Sequence, residues 1–184
     1  MKLETQAAEV LKAIGINKGH IVLDFGCGCG TYTIPAARLV GEEDKVYALD
    51  KNKIDLDKLM QKAKSKGLRN IERIDASGEP RIKLADNSVD VVLLFDVLHY
   101  YYFPRAEGRR QLLSEIYRVL RPNAVLSLYP THLQPPMEPK LEDVKREIYE
   151  ANFYLESECS GMLLTHGNSI EKGQVLNFRK KPED

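Results

Sequence analysis

Three glycines at alternate positions, Gly26, Gly28 and Gly30, follow directly on a short apolar run, His20–Phe25, and lead directly into a helical pattern, Thr31–Val40. This junction constrains the chain more than any other feature. A β-branched run bounded by glycines reads as a buried strand. Three missing β-carbons in the turn after it let the backbone approach a bound molecule closely and adopt positive φ. The helix that follows offers unpaired N–H groups and the positive end of its dipole. Pro35 lies in its first turns, where a missing N–H costs least. Strand, glycine turn and helix in that order open a parallel crossover unit, and open parallel sheets bind ligands outside the carboxyl ends of their strands.

The remaining pattern repeats this alternation. Leu3, Ala7, Val10, Leu11 and Ile14 predict a helix over 3–14, stopped by Gly15. Strands are expected at Lys45–Leu49, Asn70–Ile74, Asp90–Phe95 and Asn123–Tyr129. Helices are expected around Ile54–Ala63, ended by Gly67, over Gly108–Leu120, stopped by Arg121-Pro122, and over Leu141–Tyr149. Two last strands, Tyr154–Leu163 and Gln174–Arg179, are joined by loop-like residues, Thr165–Gly173, so that pair reads as antiparallel. The expected fold class is α/β: a doubly wound, mostly parallel seven-stranded sheet with one antiparallel strand and helices on both faces, Rossmann-like. Prolines at 130, 135, 136 and 139 make the stretch between them an irregular connection, too short to separate two domains. At 184 residues the chain is one domain's worth. The expected organisation is one domain over 1–184: an N-terminal helical segment, 1–17, a ligand-binding core, 18–130, and a C-terminal helix and strand pair, 131–184.

Charge and cysteine usage exclude several classes. Lys and Arg total 27, as do Asp and Glu, so the net charge is zero. That argues against bulk binding to nucleic acid or to an anionic membrane, which needs clustered cations. No apolar run approaches the roughly 18 residues a membrane span needs. Cys27, Cys29 and Cys159 cannot all pair within one chain, and no signal peptide is evident, so a reduced, cytoplasmic protein is expected. The Cys27-x-Cys29 pair lacks a partner set: His99, His132 and Cys159 are scattered, and soft-metal sites need about four ligands at compatible spacing, so no metal is expected.

Two ligand classes compete for the glycine loop. A dinucleotide fingerprint, G-x-G-x-x-G from Gly26, needs glycine at position 31, where Thr31 stands. The spacing here is G-x-G-x-G, and Asp24 stands just inside the strand end. Asp50 lies 20 residues beyond Gly30, at the end of the second strand, where a carboxylate can accept from both ribose hydroxyls. Asp50 could instead cap the following helix, a role open to Asn52. The run VLDFGCGCGTYTIPAA resembles the first motif of the class I S-adenosylmethionine-dependent methyltransferases. The strings ALDKN, IDAS, VDVVLLFDVLHY and IYRVLRPNAVLSL extend the resemblance, in order, over about residues 10–130. The last string resembles small-molecule methyltransferases of the ubiquinone and menaquinone biosynthesis type.

The resemblance implies S-adenosylmethionine as cofactor and an acceptor substrate, a small molecule. It implies that Gly26, Gly28 and Gly30, with the loop residues Cys27 and Thr31, cradle the methionine end, with Asp24 near the amino group. Asp50 takes the ribose, and Lys51 lines the adenine edge with its stem. Asp75 receives the adenine amino group, and the Ala76 N–H donates to the ring. Phe95 and Asp96 line the methyl-transfer mouth. His99 stands where a proton acceptor is useful, and Asp96 could act likewise, so these two are the catalytic candidates. The alternatives are a packing histidine and a loop cap. Of the aromatics Tyr100, Tyr101, Tyr102 and Phe103, one or two could wall the site, while core or interface packing accounts for at least half. About 20 residues precede the first strand and about 20 separate the fifth from the sixth, so little chain is expected to cover the acceptor; a homodimer is one way to close the site. The Asn-Pro-Pro-Tyr-type motif of amine and amide methyltransferases is absent, Phe95-Asp96-Val97-Leu98 standing in its place. Rival readings are a non-catalytic S-adenosylmethionine-binding module and an NAD-dependent oxidoreductase, the latter opposed by the glycine spacing.

Overall fold

The structure, a computed structural model, describes residues 2–76, 81–133, 136, 138–166 and 169–182. Among them strands and helices alternate from α1 (Lys2–Ala13) through β1 (Val22–Phe25), α2 (Thr33–Val40), β2 (Val46–Asp50), α3 (Lys53–Ser65), β3 (Ile71–Asp75), β4 (Val89–Phe95), α4 (Ala106–Val119), β5 (Leu120–Tyr129) and α5 (Leu141–Glu150) to β6 (Phe153–His166) and β7 (Ser169–Lys180). One sheet holds all seven strands in the order β3-β2-β1-β4-β5-β7-β6. Strands β1 to β5 pair in parallel, and β7 runs antiparallel to both β5 and β6. The expected fold class is therefore observed, with β7 as its antiparallel strand.

Neighbouring residues on the central strands feed opposite cores, as expected of a sheet covered on both faces. Val22, Val91 and Leu93 join Val10, Leu11, Ile34, Leu56 and Leu59 under α1, α2 and α3. Leu23, Val92 and Leu94 join Leu113, Ile116, Val144 and Ile148 under α4 and α5. The chain order reverses between β1 and β4, so the crevice at the carboxyl ends of those two strands is the switch point of the sheet.

Two elements depart from the sequence pattern. Strand β5 starts at Leu120 and carries Arg121, Pro122 and Asn123 through a bulge: Val89 faces Leu120, whereas Val91 already faces Val125. The exposed Pro122 sits in that bulge, one of the few places a sheet tolerates proline. The terminal hairpin is also longer than predicted. Residues expected as a loop, Thr165–Gly173, are strand apart from 167 and 168, which lie outside the described residues. Ladder pairing, Thr165 with Ile170 and Leu163 with Lys172, overrides the weak local propensity there. Only Leu176–Arg179 of β7 pair with β5, so the outer half of the hairpin projects past the carboxyl end of β5. Of the irregular connection at 130–139, residues 134, 135 and 137 also lie outside the described residues. No described helix is long and apolar enough to cross a membrane.

Candidate functional site

The glycine loop leaves β1 at the switch point. Gly26 N–H and Cys27 N–H both donate to the Leu49 carbonyl, at 2.8 and 3.1 Å, tying the loop to the end of β2. Its glycines do different work. A β-carbon on Gly30 would stand 2.2 Å from Leu59 Cδ1, and its φ is +85°, so this glycine seats the loop on α3. Gly28 also has positive φ, +51°, yet a β-carbon there would meet nothing within 4 Å. The loop therefore presents open backbone at Gly28, while Gly26 and Gly30 hold it down. Cys27 is buried, its thiol donating to the Gly28 carbonyl at 3.7 Å and pushed up in pKa by burial; Cys29 is exposed. Thr31 lies in the turn before α2.

Two carboxylates meet at this loop. Asp50 accepts from Gly28 N–H through Oδ2 and from Asn52 N–H through Oδ1, both at 2.8 Å. Asn52 itself caps α3, accepting from Ile54 N–H at 3.1 Å and Asp55 N–H at 3.4 Å. Each Asp50 oxygen thus retains a further lone pair for a ligand hydroxyl. Asp24 is buried and accepts from Thr33 Oγ1 at 2.6 Å. Burial, and secondarily the negative charge of Asp50, push its pKa up to about 6 despite the Thr33 hydrogen bond. A buried carboxylate so destabilised as an anion is a place where a ligand cation is favoured.

At β3, Asp75 is engaged twice by Arg73, through Nε at 2.8 Å and Nη2 at 2.7 Å, and these bonds hold its carboxyl below the ordinary carboxylate range. Arg73 also reaches Asp57 on α3. The Ala76 N–H donates to the Asp50 carbonyl at 3.0 Å, continuing the ladder between β2 and β3. This corrects the expectation that Ala76 offers its N–H to an adenine ring. Residues 77–80, beyond it, lie outside the described residues.

The other wall comes from β4 and β5. Phe95 is buried edge-on to Tyr32 at 4.7 Å and to Tyr129 at 6.1 Å. The Tyr129 hydroxyl donates to Glu171 on β7, which brings the projecting hairpin to the carboxyl end of β5. Met162 and Cys159 of that hairpin pack on the core beneath α1, and β6 itself touches α1. The sparse cover expected from the chain's spacing is thus supplemented by the hairpin, whose reach depends on pairing beyond the residues that look like strand.

Asp96 and His99 do come together, but not as two independent proton acceptors. His99 is only 1% exposed. Its Nε2 lies 3.1 Å from the Asp96 carbonyl oxygen and 3.3 Å from Oδ1, and its Nδ1 accepts from Tyr101 N–H at 3.3 Å. Since Tyr101 N–H is a donor, Nδ1 carries no proton and Nε2–H donates. With both ring nitrogens engaged inside the protein, His99 positions Asp96, which corrects its expected role as a base. Of the four aromatics, Phe103 alone is mostly covered, packing near Phe25; Tyr100, Tyr101 and Tyr102 are 52%, 62% and 51% exposed, so core packing explains just one. Lys51 places its ammonium 4.6 Å over the Tyr102 ring, joining the aromatic segment to the end of β2. Arg109, buried on α4, forks onto Glu147 of α5 at 2.7 Å through both Nε and Nη2, and its Nη1 donates to the Phe103 carbonyl, anchoring the segment's far end.

Thr33, Tyr32, Arg73, Thr131 and Glu171 escaped the sequence reading. Thr33 alone carried a signal, a hydroxyl residue at a helix start after the glycines. Arg73 meets Asp75 from two residues away on β3, and the remaining three meet the site through pairings between distant segments.

The fold and loop define a class, the α/β proteins that hold a nucleoside-bearing ligand at the switch point of a mostly parallel sheet. Residues 22–123 match the family described as "Methyltransferase domain". The chain belongs to this family, that of the class I S-adenosylmethionine-dependent methyltransferases. It is 32% identical over 117 residues to a demethylmenaquinone methyltransferase of Geobacillus stearothermophilus, an alignment covering 64% of this chain and 47% of that protein. The chain spans about half the length of the curated relatives it matches. Among solved structures, a SAM-dependent methyltransferase from Aquifex aeolicus is 25% identical with a TM-score of 0.74, covering 94% of this chain and 88% of that one. The [4+2]-cyclase SpnF has the same TM-score at 14% identity, over 97% of this chain and 81% of its own, and shares the fold alone.

Proposed function

We propose that the chain transfers a methyl group from S-adenosylmethionine to a small-molecule acceptor. The observation that carries this reading is the pair of carboxylates at the open glycine loop, one of them buried and raised to about 6. S-Adenosylmethionine brings two cations, an ammonium and a sulfonium, to such a site. Against a dinucleotide stands the glycine spacing: its fingerprint needs glycine at position 31, where Thr31 stands. The residues fit the cofactor: Asp24 faces the ammonium, the open backbone at Gly28 admits the methionine end, and Asp50 accepts from the ribose hydroxyls. Lys51, Asp75 and Phe95 border the rest of the ligand.

The bound sulfonium supplies an already activated methyl, so the protein need not provide a covalent nucleophile. What the residues contribute is alignment of the acceptor with the methyl carbon and exclusion of water. Phe95, Tyr32 and Tyr129 give the mouth rigid aromatic walls, and the hairpin that Glu171 draws in covers it. A second copy covering the site, one reading of the short segments, is less needed with the hairpin in place. Three free thiols support a reducing compartment such as the cytoplasm.

Thermal unfolding with added ligand tests the reading. S-Adenosylhomocysteine should raise the midpoint, NAD should not, and Asp50→Ala should abolish the shift. A midpoint unmoved by S-adenosylhomocysteine would sink the proposal. A non-catalytic binding module would show the shift yet methylate no acceptor across phenols, amines and thiols.

A further inference from the structure

At the acceptor side, two residues with left-handed backbone bring their side chains together. Asp96, at the end of β4, has φ 59°, and His132, just after β5, has φ 52°. Such conformations cost a residue with a side chain about 1 kcal/mol or more and gather at functional sites. Asp96 Oδ1 accepts from the buried Thr131 hydroxyl and lies 3.3 Å from His99 Nε2. The same oxygen lies 3.9 Å from His132 Nε2. The two imidazoles meet edge-on at 5.0 Å, and Tyr101 stands edge-on to His132 at 5.3 Å. His99 is sealed in, whereas the His132 side chain is 36% exposed. The cluster sets one carboxylate beside two imidazoles, side chains suited to holding and passing a proton.

We propose that His132 takes the proton that a weakly acidic acceptor surrenders during methyl transfer, with Asp96 as the positioning carboxylate that Thr131 and His99 hold in place. The inference rests on the methyl-transfer reading above. The acceptor is a neutral aromatic hydroxyl. Asp96 weakens the binding of an acceptor that arrives as an anion, an effect on KM, and the exposed Tyr101 ring suits a planar acceptor. In the step, the O–H bond breaks and its electron pair stays on oxygen. A new O–C bond forms to the methyl carbon, the S–C bond breaks with its pair moving to sulfur, and the sulfonium becomes a neutral thioether. The proton rests on the His132 imidazole beside Asp96 until it passes to solvent.

Two phenols separate a base from a scaffold. At pH 8, 4-nitrophenol is already ionised and 4-methoxyphenol is not. His132→Gln should lower kcat on 4-methoxyphenol by about 100-fold and on 4-nitrophenol by less than about threefold, with KM for S-adenosylmethionine unchanged. Asp96→Asn should show the same split, about tenfold on the neutral phenol alone. A second readout needs no turnover. At pH 6, 4-nitrophenol added to the protein with S-adenosylhomocysteine should develop the phenolate absorption band, and His132→Gln should not produce it. Equal losses on both phenols, no loss on either, or no methylation of any phenol by a protein that binds S-adenosylhomocysteine would each overturn the inference. Failure to bind S-adenosylhomocysteine overturns instead the reading beneath it.

Discussion

Asp24 holds the molecule's most direct conflict between folding and binding. Its folded pKa of about 6 lies above the unfolded value of 3.8, so folding takes up a proton there. The stability it contributes is fully present below about pH 4 and is lost as pH rises through 6. At pH 8 the ionised, buried carboxyl costs the ligand-free fold roughly 3 kcal/mol. Asp24→Asn should therefore stabilise the ligand-free protein by about 1–3 kcal/mol at pH 8 in urea unfolding, with the gain gone near pH 4. The same variant should weaken S-adenosylhomocysteine binding at least tenfold by calorimetry. A gain over the wild type no larger at pH 8 than at pH 4 would show that the carboxyl is not under this strain. Gly30→Ala should cost about 2 kcal/mol, because its methyl meets Leu59 and its φ is left-handed. At this scale the glycine loop and Asp50 were legible, since both follow from local spacing along a strand and a helix. The division of labour between His99 and His132 was not. It depends on which imidazole the aromatic segment buries, and no spacing encodes that.

Among elements, the terminal hairpin and the α4–α5 pair act on the site from a distance. The inner part of β7 has two strand neighbours and its outer part only β6. Amide exchange should accordingly be slow at Leu176–Phe178 and at least tenfold faster at Ile170–Gly173. Uniform protection along β7 would contradict a projecting cover. The Arg109–Glu147 pair fastens α4 to α5 and the aromatic segment to both. Glu147→Ala leaves a buried guanidinium unpaired and should destabilise the fold by about 3–5 kcal/mol, measured by chemical unfolding. A loss below 1 kcal/mol would mean water reaches Arg109. Helices and central strands were read from the sequence to within a few residues, because their apolar periodicity is strong on both faces. The hairpin's outer half was read as loop, since Ser169 and Gly173 carry little strand propensity and gain their conformation from pairing alone.

Over the whole molecule, the order β3-β2-β1-β4-β5-β7-β6 gathers the groups of the candidate site at the carboxyl ends of the parallel strands. The glycine loop and its carboxylates lie at the ends of β1 and β2. The aromatic wall, Asp96 and His132 lie at the ends of β4 and β5. The sequence predicted the fold class, because strand and helix patterns alternate along the chain; it could not predict the far side of the crevice, where contacts join residues more than 30 positions apart. The central claim is that the crevice is built for the amino-acid-bearing nucleoside of S-adenosylmethionine and not for a dinucleotide. Calorimetric titration at pH 7.5 with S-adenosylhomocysteine and with NAD, on wild-type protein and Asp50→Ala, tests it most directly. The account predicts micromolar binding of S-adenosylhomocysteine to the wild type, at least 100-fold weaker binding to the variant, and no heat with NAD; equal affinity of wild type and variant, or preference for NAD, would contradict it.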